Sequence, residues 1–386
     1  ISSDGTVAIT DNLTVNGNQY PTAGTLSNRN LIINGEHKVD QRNSGSSVTL
    51  GTSVKFVTDR WSSKINGGAA TAEQDTTVPS GKGFTKSFKF DVTTADTSLG
   101  VNDEIFVQTN IEAQDLTQLS FGTSDAKSIT VSFWVKSALT GDYGFYLYQG
   151  DGAKAYQTTY NIASADTWEY KTITIPGNTA NAIVDDNGLG LEVRWYLAIG
   201  IDKGGSSNQN AWGSDASNRH PTGTNLMAST SNDWFITGVQ LEVGEKATPF
   251  EHRSYGDVLA RCQRYLQLIN YNNSGSYAIN HFAFRDGTYF MINYLHKVDM
   301  RAAPTLVAIG TNGLTGLSNS EIGLYNISAA SSVTVSGSTG NWTLTQANEG
   351  RSTVRFTGTS LSGTSGDIAG CDTIILDTKV FVSAEL

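Results

Sequence analysis

Aromatic side chains on predicted strands are the residues of this sequence best able to contact a ligand. Tyr146 and Tyr148 share one face of a predicted strand and lie ~7 Å apart along it. Trp134 and Tyr196 fall on the polar-facing side of two other predicted strands. Flat rings on an exposed sheet can stack on the apolar face of a pyranose, while nearby Asn, Gln and Asp side chains satisfy its hydroxyls. The alternative is that the rings line a core or a subunit interface, and both roles remain open.

A second candidate is the Gly-, Ser- and Asn-rich stretch Lys203–Asp233, whose largest apolar side chains are Trp212 and Met227. Long irregular stretches in compact domains tend to be functional or disordered. Trp212 is therefore either a platform for a carbohydrate or an anchor that fixes the loop to its own domain. The anchor is the favoured role, and Trp212 stays among the candidate carbohydrate contacts.

Motifs for catalysis or metal binding are missing from the sequence. It has no nucleophile elbow, P-loop, zincin helix or Cys-rich metal spacing, and its five histidines fit no ligand spacing. The run Asp185–Gly188 resembles a calcium loop but lacks the acidic alternation and the distal Glu, so a turn is expected. A carboxylate pair could hydrolyse a glycan, but nothing singles out two of the 36 acidic residues. We expect a binding protein that is not an enzyme and holds no metal or cofactor.

Composition narrows the possible partners. The net charge is −10 and no run of Lys or Arg occurs, which argues against binding nucleic acid. No apolar stretch reaches 18 residues, so we expect no membrane insertion. Cys262 and Cys371 are far apart in the sequence, and two ordinary buried thiols are favoured over a disulfide. The chain starts at Ile1 without Met, which we interpret as a processed product or a fragment of a longer protein.

Residues 28–252 carry many short segments in which apolar and polar side chains alternate, separated by Gly, Asn and Asp. In Ser128–Ser137 the apolar face holds Phe133 and the polar face holds Trp134. Leu191–Asp202 is predicted to point Leu191, Val193, Trp195, Leu197, Ile199 and Ile201 to one side. Alternation of this kind predicts antiparallel sheets with one buried face each. The expected fold class is all-β: an antiparallel jelly-roll sandwich, followed by a short linker helix and a second, smaller β domain.

Four segments are predicted along the chain. Residues 1–27 hold short β pieces, including Leu13–Val15 before an Asn-Gly turn, and are too short to bury a core alone, so they are a candidate fibre-shaft or trimerising segment. Residues 28–252 form the sandwich, residues 253–270 the helix, and residues 271–386 a C-terminal β domain. Within the last, a hairpin is expected around Arg285–Thr288, and the polar stretch Gly310–Gly340 is expected to form surface loops.

The predicted helix has an N-cap arrangement, because Ser254 precedes Asp257 by three residues. It carries apolar side chains spaced three, four and three residues apart, namely Leu259, Cys262, Leu266 and Ile269. This is the seam spacing of a coiled coil, over barely two heptads. The helix therefore either docks on its own sandwich or meets its symmetry mates, and in the second case these four residues are trimer contacts.

A junction at residues 237–268 resembles one found in tail fibres of tailed bacteriophages. There a jelly-roll strand, here Val239–Glu242, leads through Ala247–Glu251 into a short helix with the sequence Cys-Gln-Arg-Tyr, here Cys262–Tyr265. Further fragments that agree are Asn30–Gly35, Asp59–Trp61, Ser132–Lys136, Met300–Thr305 and the final Ser383–Leu386. The resemblance covers most of the chain from about residue 27 onward, and the sandwich half is also similar to a carbohydrate-binding module of the jelly-roll type.

The resemblance implies the receptor-binding part of a homotrimeric tail fibre. It would recognise a bacterial surface polysaccharide or outer-membrane receptor non-covalently, and join other tail proteins through a missing N-terminal part. Its place would be the virion, after assembly in the cytoplasm of the bacterial host. The motif residues of the family are structural and transfer no binding residues. Two alternatives remain: a tailspike-type hydrolase that depolymerises a glycan, and a secreted cellular carbohydrate-binding module.

Overall fold

The computed structural model describes residues 13–15, 18–20, 28–203, 209–214, 223–268, 271–273, 276–279, 282–286, 289–309, 323–326, 331–334, 341–347, 350–357, 371–376 and 379–386. The chain divides into two compact units, Ile1–Val258 together with Leu386, and Leu259–Glu385. The segment boundaries predicted above, at 27/28, 252/253 and 270/271, stay predictions. In the described ranges, no helix has the length and apolar character that a bilayer crossing requires.

Fifteen strands belong to the first unit among the residues described. In chain order they are β1 (Leu13–Val15), β2 (Asn18–Tyr20), β3 (Val48–Thr49), β4 (Lys55–Thr58), β5 (Trp61–Lys64), β6 (Ala69–Asp75), β7 (Ser87–Thr94), β8 (Glu104–Glu112), β9 (Ile129–Ser137), β10 (Gly141–Gln149), β11 (Lys154–Ile162), β12 (Glu169–Ile175), β13 (Leu189–Ile199), β14 (Trp212–Ser214) and β15 (Asp233–Val243). Short 3₁₀ helices span Ala113–Leu119 and Leu226–Ala228. The predicted strand Leu13–Val15 is confirmed as β1, which pairs antiparallel with β2.

Thirteen of these strands form two antiparallel sheets. The seven-stranded sheet has the order β14-β11-β10-β13-β8-β5-β4, and the six-stranded sheet has the order β12-β9-β15-β7-β6-β3. Their inner faces enclose one apolar core, in which the Trp195 ring lies 5.4 Å from Trp61, 5.5 Å from Phe145 and 5.7 Å from Phe133 of the opposite sheet. The predicted all-β antiparallel sandwich, with a second β unit after it, is confirmed.

Residues 28–39, called the strap below, fix the start of the sandwich to its last strand. Leu31 N donates to Leu241 O (2.9 Å), and the Asn30 side chain donates to Val239 O (3.0 Å). Glu251 accepts from the backbone N–H groups of Asn28 (2.6 Å) and Asn30 (2.9 Å). Burial alone would raise the pKa of Glu251, but these N–H groups and the charge of Arg253 lower it. Within the fragments that carry the resemblance, Asn30, Leu31 and Glu251 therefore have structural contacts in this chain.

The linker helix is shorter than predicted. Helix α1 spans Tyr255–Gln263, with the Ser254 hydroxyl accepting from Asp257 N (3.2 Å), which confirms the N-cap. The chain then enters β16 (Leu266–Leu268), so the proposed helical seam through Leu266 is wrong. Cys262 and Leu266 are fully buried within the single chain and cannot serve as trimer contacts from an exposed helix face. Leu259 is half-buried, and Ile269 lies outside the described residues.

The physical reason for this early end is the pairing available to β16. Leu266 pairs with Ser383 of the last strand, and Ala384 N donates to Tyr265 O (2.8 Å). A continued helix would leave those strand groups without these partners. Cys262 carries a buried thiol, in agreement with one of the two expected thiols. The Cys371 side chain lies outside the described residues.

The second unit continues with strands β17 to β27. They are β17 (Tyr271–Asn273), β18 (Ser276–Ile279), β19 (Phe282–Asp286), β20 (Tyr289–Leu295), β21 (Thr305–Ile309), β22 (Gly323–Asn326), β23 (Ser331–Thr334), β24 (Asn341–Ala347), β25 (Arg351–Thr357), β26 (Cys371–Leu376) and β27 (Lys379–Ser383). Described strands form antiparallel sheets ordered β16-β27-β21, β17-β18-β26-β22-β23 and β19-β20-β25-β24. The predicted hairpin is confirmed as β19-β20. The stretch Gly310–Gly340 is not all loop, because it contains β22 and β23.

Candidate functional site

Three of the five predicted aromatic contacts come together on the outer face of the seven-stranded sheet. The registers place Tyr146 opposite Arg194, Tyr148 opposite Glu192, and Tyr196 opposite Phe106. Since side chains alternate across a strand, all of them point away from the core formed by Phe145, Leu147 and Trp195. We call this set the outer-face cluster: Phe106, Gln108, Tyr146, Tyr148, Glu192, Arg194 and Tyr196.

Burial divides the rings of the outer-face cluster into two kinds. Tyr146 and Tyr196 are 1% and 0% exposed, so they do not offer open ring faces as predicted. Tyr148 is half-buried, and its ring lies parallel to that of Tyr146, with centroids 6.4 Å apart and an interplanar angle of 6°. Tyr196 packs edge-on against Tyr146 (6.0 Å) and Phe106 (5.7 Å). The buried rings therefore hold Tyr148 in place, and Tyr148 is the accessible ring.

Arg194 is the polar centre of the cluster. Its Nε lies 2.7 Å from Glu192 Oε1 and donates to Gln108 Oε1 (2.9 Å), while Nη1 donates to the Tyr196 hydroxyl (3.2 Å). The guanidinium carbon is 4.2 Å from the Phe106 ring centroid, within cation–π range. Its planar fork is thereby fixed by a carboxylate, an amide, a phenol and an aromatic face.

A β-bulge shapes the end of the cluster. The pairing of β13 with β8 shifts register between Tyr196 and Ala198, so Ala198 pairs with Ile105 and Ile199 with Glu104. A bulge adds one residue to a strand and reverses the facing of those that follow it. The prediction that Ile199 points inward with Trp195 is therefore wrong, because Ile199 packs against Phe106 and Tyr196 on the outer face. Ile201, expected inward too, is 78% exposed.

Trp134 lies on the opposite side of the sandwich. It is half-buried on the outer face of the six-stranded sheet, with the Tyr170 ring 5.3 Å away and the Lys82 ammonium 5.2 Å from its own ring centroid. Tyr170, which the sequence analysis missed, is 44% exposed and pairs with Trp134 across β12 and β9. The sequence did contain a sign of this: Tyr170 is two residues after Trp168 in a segment of alternating apolar and polar residues, which places the two rings on one face. Trp134 is thus not part of the outer-face cluster.

Trp212 serves as an anchor, not as a platform. It pairs with Tyr156 on the core side of the sheet, and its ring lies 5.9 Å from Tyr156 and 5.6 Å from Phe121. Its Nε1 donates to Pro176 O (2.6 Å). Because the inner side of β11 faces the core, the Trp212 ring closes the sandwich at the β14 edge. Its candidacy as a carbohydrate contact is corrected accordingly.

Two properties of the titratable groups outside the cluster bear on chemistry, namely their grouping around a possible metal ion and their shifted pKa values. Among the described residues, no three His, Cys, Asp or Glu side chains are grouped so that they could hold a metal ion. The Asp185–Gly188 run is a turn in which Gly188 N donates to Asp186 Oδ1 (2.7 Å). Asp233 has a raised pKa, mainly through burial, with smaller contributions that include the Lys136 charge, which lowers it, and the Asp166 charge, which raises it.

No family model matches the chain, and no curated protein matches its sequence. Among solved structures, the enzymatically active domain of tailspike protein 4 from bacteriophage CBA120 is 12% identical, covering 55% of this chain and 21% of its own, with a TM-score of 0.30. A family 11 carbohydrate-binding module from Clostridium thermocellum, solved with a mixed-linked tetrasaccharide, is 12% identical, covering 52% and 97%, with a TM-score of 0.24. The CBM22-1 and GH10 modules of xylanase 10B from the same organism are 10% identical, covering 58% and 29%, with a TM-score of 0.26.

At these TM-scores the likenesses carry no evidence about the function of this chain. The chain spans about a fifth of the tailspike structure that it matches. Its own strand order defines it as an all-β protein with a two-sheet antiparallel sandwich. The feature that sets one surface of that sandwich apart is an outer face built of stacked tyrosines around an ion-paired arginine.

Proposed function

We propose that this protein binds a carbohydrate non-covalently through the outer-face cluster. The observation that carries the proposal is the accessible Tyr148 ring, held parallel to buried Tyr146 beside the Arg194–Glu192 pair. A pyranose offers one apolar face and a rim of hydroxyls, so its recognition needs a flat ring and hydrogen-bonding groups close by. Tyr148 supplies the ring, and Glu192 and Arg194 supply acceptors and donors.

Rigidity supports this assignment. Tyr148 and Glu192 stand on paired strands in the middle of a seven-stranded sheet, with Tyr146 packed beside the ring. A site whose side chains are held before binding loses little conformational entropy when a flexible glycan arrives. Single-site affinity stays modest because the contact is shallow, so strong attachment would require several copies acting together.

We further propose that the biological setting is host adsorption by a bacteriophage tail fibre. The support is the sequence resemblance at residues 237–268 and in the strap. In this setting the protein is a homotrimer in the virion and attaches to a bacterial surface polysaccharide or outer-membrane receptor. It binds without cleaving, and it assembles with other tail proteins.

Replacing Tyr148 tests the site. In Tyr148→Ala we expect binding to the cognate surface glycan to weaken about tenfold or more, because truncating an aromatic residue at the centre of a binding site costs ~2 kcal/mol or more and ~1.4 kcal/mol is tenfold. Isothermal titration against glycans selected on a bacterial glycan array measures this. Tyr255→Ala, which removes a 56% exposed tyrosine from α1, is the matched control and should bind like the wild type.

Tyr170→Ala decides between the two sheet faces. Unchanged binding in this variant, together with loss in Tyr148→Ala, supports the outer-face cluster. Loss only in Tyr170→Ala would move the site to the Trp134 side and contradict the proposal. In parallel, prolonged incubation with the bound polysaccharide should release no new reducing ends, and their release would overturn the non-enzymatic role.

A further inference from the structure

Two positive charges on the outer face of the seven-stranded sheet, those of Arg194 and Lys64, each lie beside a carboxylate. Arg194 lies 2.7 Å from Glu192, and Lys64, which is opposite Phe106 on β5, lies 3.7 Å from Glu104. All four side chains are at least largely buried, with exposures between 8% and 26%. Partly buried pairs are screened little by salt. Of the residues described, the Arg194–Glu192 pair beside Tyr148 and the Lys64–Glu104 pair beside Phe106 each carry no net charge.

A charged ligand would meet this arrangement at a disadvantage. A sugar carboxylate or phosphate could reach the guanidinium only by displacing Glu192 or by lying beside it. If the ligand displaced Glu192, the buried Glu192 carboxylate would lose its partner Arg194. If the ligand lay beside Glu192, two negative charges would be close together. Both arrangements are unfavourable. The net charge of −10 adds long-range repulsion of any polyanion. An uncharged saccharide meets neither penalty, since its hydroxyls can add hydrogen bonds to groups already paired.

We infer that the outer-face cluster selects uncharged saccharides and rejects acidic ones, and that Glu192 is the residue that sets this preference. The inference rests on the proposed function of the same surface. Glu192 acts by keeping the Arg194 guanidinium in an ion pair, so that the guanidinium is less available to an anionic ligand. The ligand class is therefore a neutral hexose or deoxyhexose stretch of a surface glycan, in contrast to one that carries uronate, sialate or phosphate groups.

The experiment uses matched polysaccharides that differ only in charge. Uronate-containing bacterial polysaccharides and their carboxyl-reduced forms are titrated against the full chain at low and at physiological salt. The wild type should bind the reduced, neutral form at least tenfold more tightly, and that binding should change less than twofold with salt. Tighter binding of the acidic form by the wild type would overturn the inference and leave the proposed carbohydrate binding intact.

Glu192→Gln tests the residue itself. With the carboxylate replaced by an isosteric amide, Arg194 becomes available to an anion, and binding of the acidic form should rise at least tenfold and become salt-sensitive. Glu169→Gln, which breaks the pair with Lys171 on β12 of the other sheet, is the matched control and should change neither affinity. An unaltered preference in Glu192→Gln would contradict the role of Glu192.

A double variant distinguishes a folding defect from a loss of the preference for neutral saccharides. Glu192→Gln with Arg194→Gln removes both charges, so the gain for acidic polysaccharide should disappear while the melting temperature stays near that of Glu192→Gln. A gain that persists in the double variant would show that Arg194 is not the group released, and would overturn the inference. Binding of no polysaccharide by any variant or the wild type would overturn both the inference and the proposed function.

Discussion

His37 is a buried histidine that stays neutral across the physiological range. It is 0% exposed, its ring lies 4.6 Å from Trp61, and its Nδ1 lies 3.2 Å from the Thr58 hydroxyl. Burial lowers the pKa of His37 from 6.5 to about 3. The sequence motif before it resembles tail fibres, but a histidine in a polar-looking segment gave no sign that it would be enclosed by aromatic rings.

The lowered pKa of His37 makes stability depend on pH in a definite direction. Between pH 6.5 and 3 the unfolded chain binds a proton that the folded chain does not, so stability is full above pH 6.5 and falls as the pH drops. At pH 5 this group should account for a loss of ~2 kcal/mol relative to pH 7, at 1.36 kcal/mol for each pH unit below 6.5. Urea unfolding of the wild type and His37→Phe at both pH values measures the difference. An equal pH dependence in the two proteins would contradict the expectation.

Among the site residues, sequence alternation placed Tyr146, Tyr148 and Tyr196 on the correct face of the sheet. It could not give their exposure, because that depends on neighbours such as Arg194, whose guanidinium covers Phe106. The pairing of Arg194 with Glu192 two residues earlier on the same face was visible in the sequence only as two opposite charges. Its role beside the rings required the register of β13 with β8 and β10.

At the scale of elements, the strap depends on a close backbone approach. A Cβ on Gly35 would lie 2.1 Å from Val239 O, where the Val239 N–H also donates to Gly35 O (2.9 Å). Gly35→Ala should therefore destabilise the sandwich by about 1–3 kcal/mol or more, because backbone atoms must move. Gly51→Ala is the control, since its Cβ would meet no heavy atom within 4 Å. Thermal unfolding that gives the two variants equal stability would refute this account of the strap.

The β14 edge provides a second test at the scale of elements. Trp212→Ala should lower the free energy of unfolding by about 2–4 kcal/mol, because it removes a half-buried ring and its bond to Pro176 O. Carbohydrate binding should survive under conditions where the variant is folded. Denaturant unfolding and titration on the same sample check both statements. A variant with wild-type stability and lost binding would restore Trp212 as a carbohydrate contact.

Strands could be predicted from the sequence because apolar and polar residues alternate regularly, as in Ile129–Ser137 and Leu189–Ile199. Two features could not be predicted, for physical reasons. The bulge near Leu197 depends on how β8 pairs with β13, so Ile199 was placed on the wrong face. The helix was extended through Leu266 because its apolar spacing fits a helix, whereas pairing with Ser383, more than a hundred residues away, decides in favour of a strand.

At the scale of the whole molecule, the proposed trimer is open to direct measurement. Light scattering coupled to size-exclusion chromatography should give a mass of three times 41.3 kDa at micromolar concentration. Cys262 and Leu266 are already buried within a single chain. Cys262→Ser is therefore expected to lower the stability of the fold without changing the number of chains in the assembly. A stable monomer at that concentration would refute the trimer and favour a cellular carbohydrate-binding module.

The strap also determines which contacts would carry a mechanical force applied to the two ends of the sandwich. The chain arrives at Asn28–Leu31 and departs at Glu251–Arg253, and these two stretches are joined directly by Glu251 to Asn28 and Asn30, and by Arg253 to Asn30 O (3.2 Å). A pull along the polypeptide is thus carried across this short clasp. We expect these hydrogen bonds to break before the strands of the two sheets separate. The tyrosines on the seven-stranded sheet would then keep their arrangement under load.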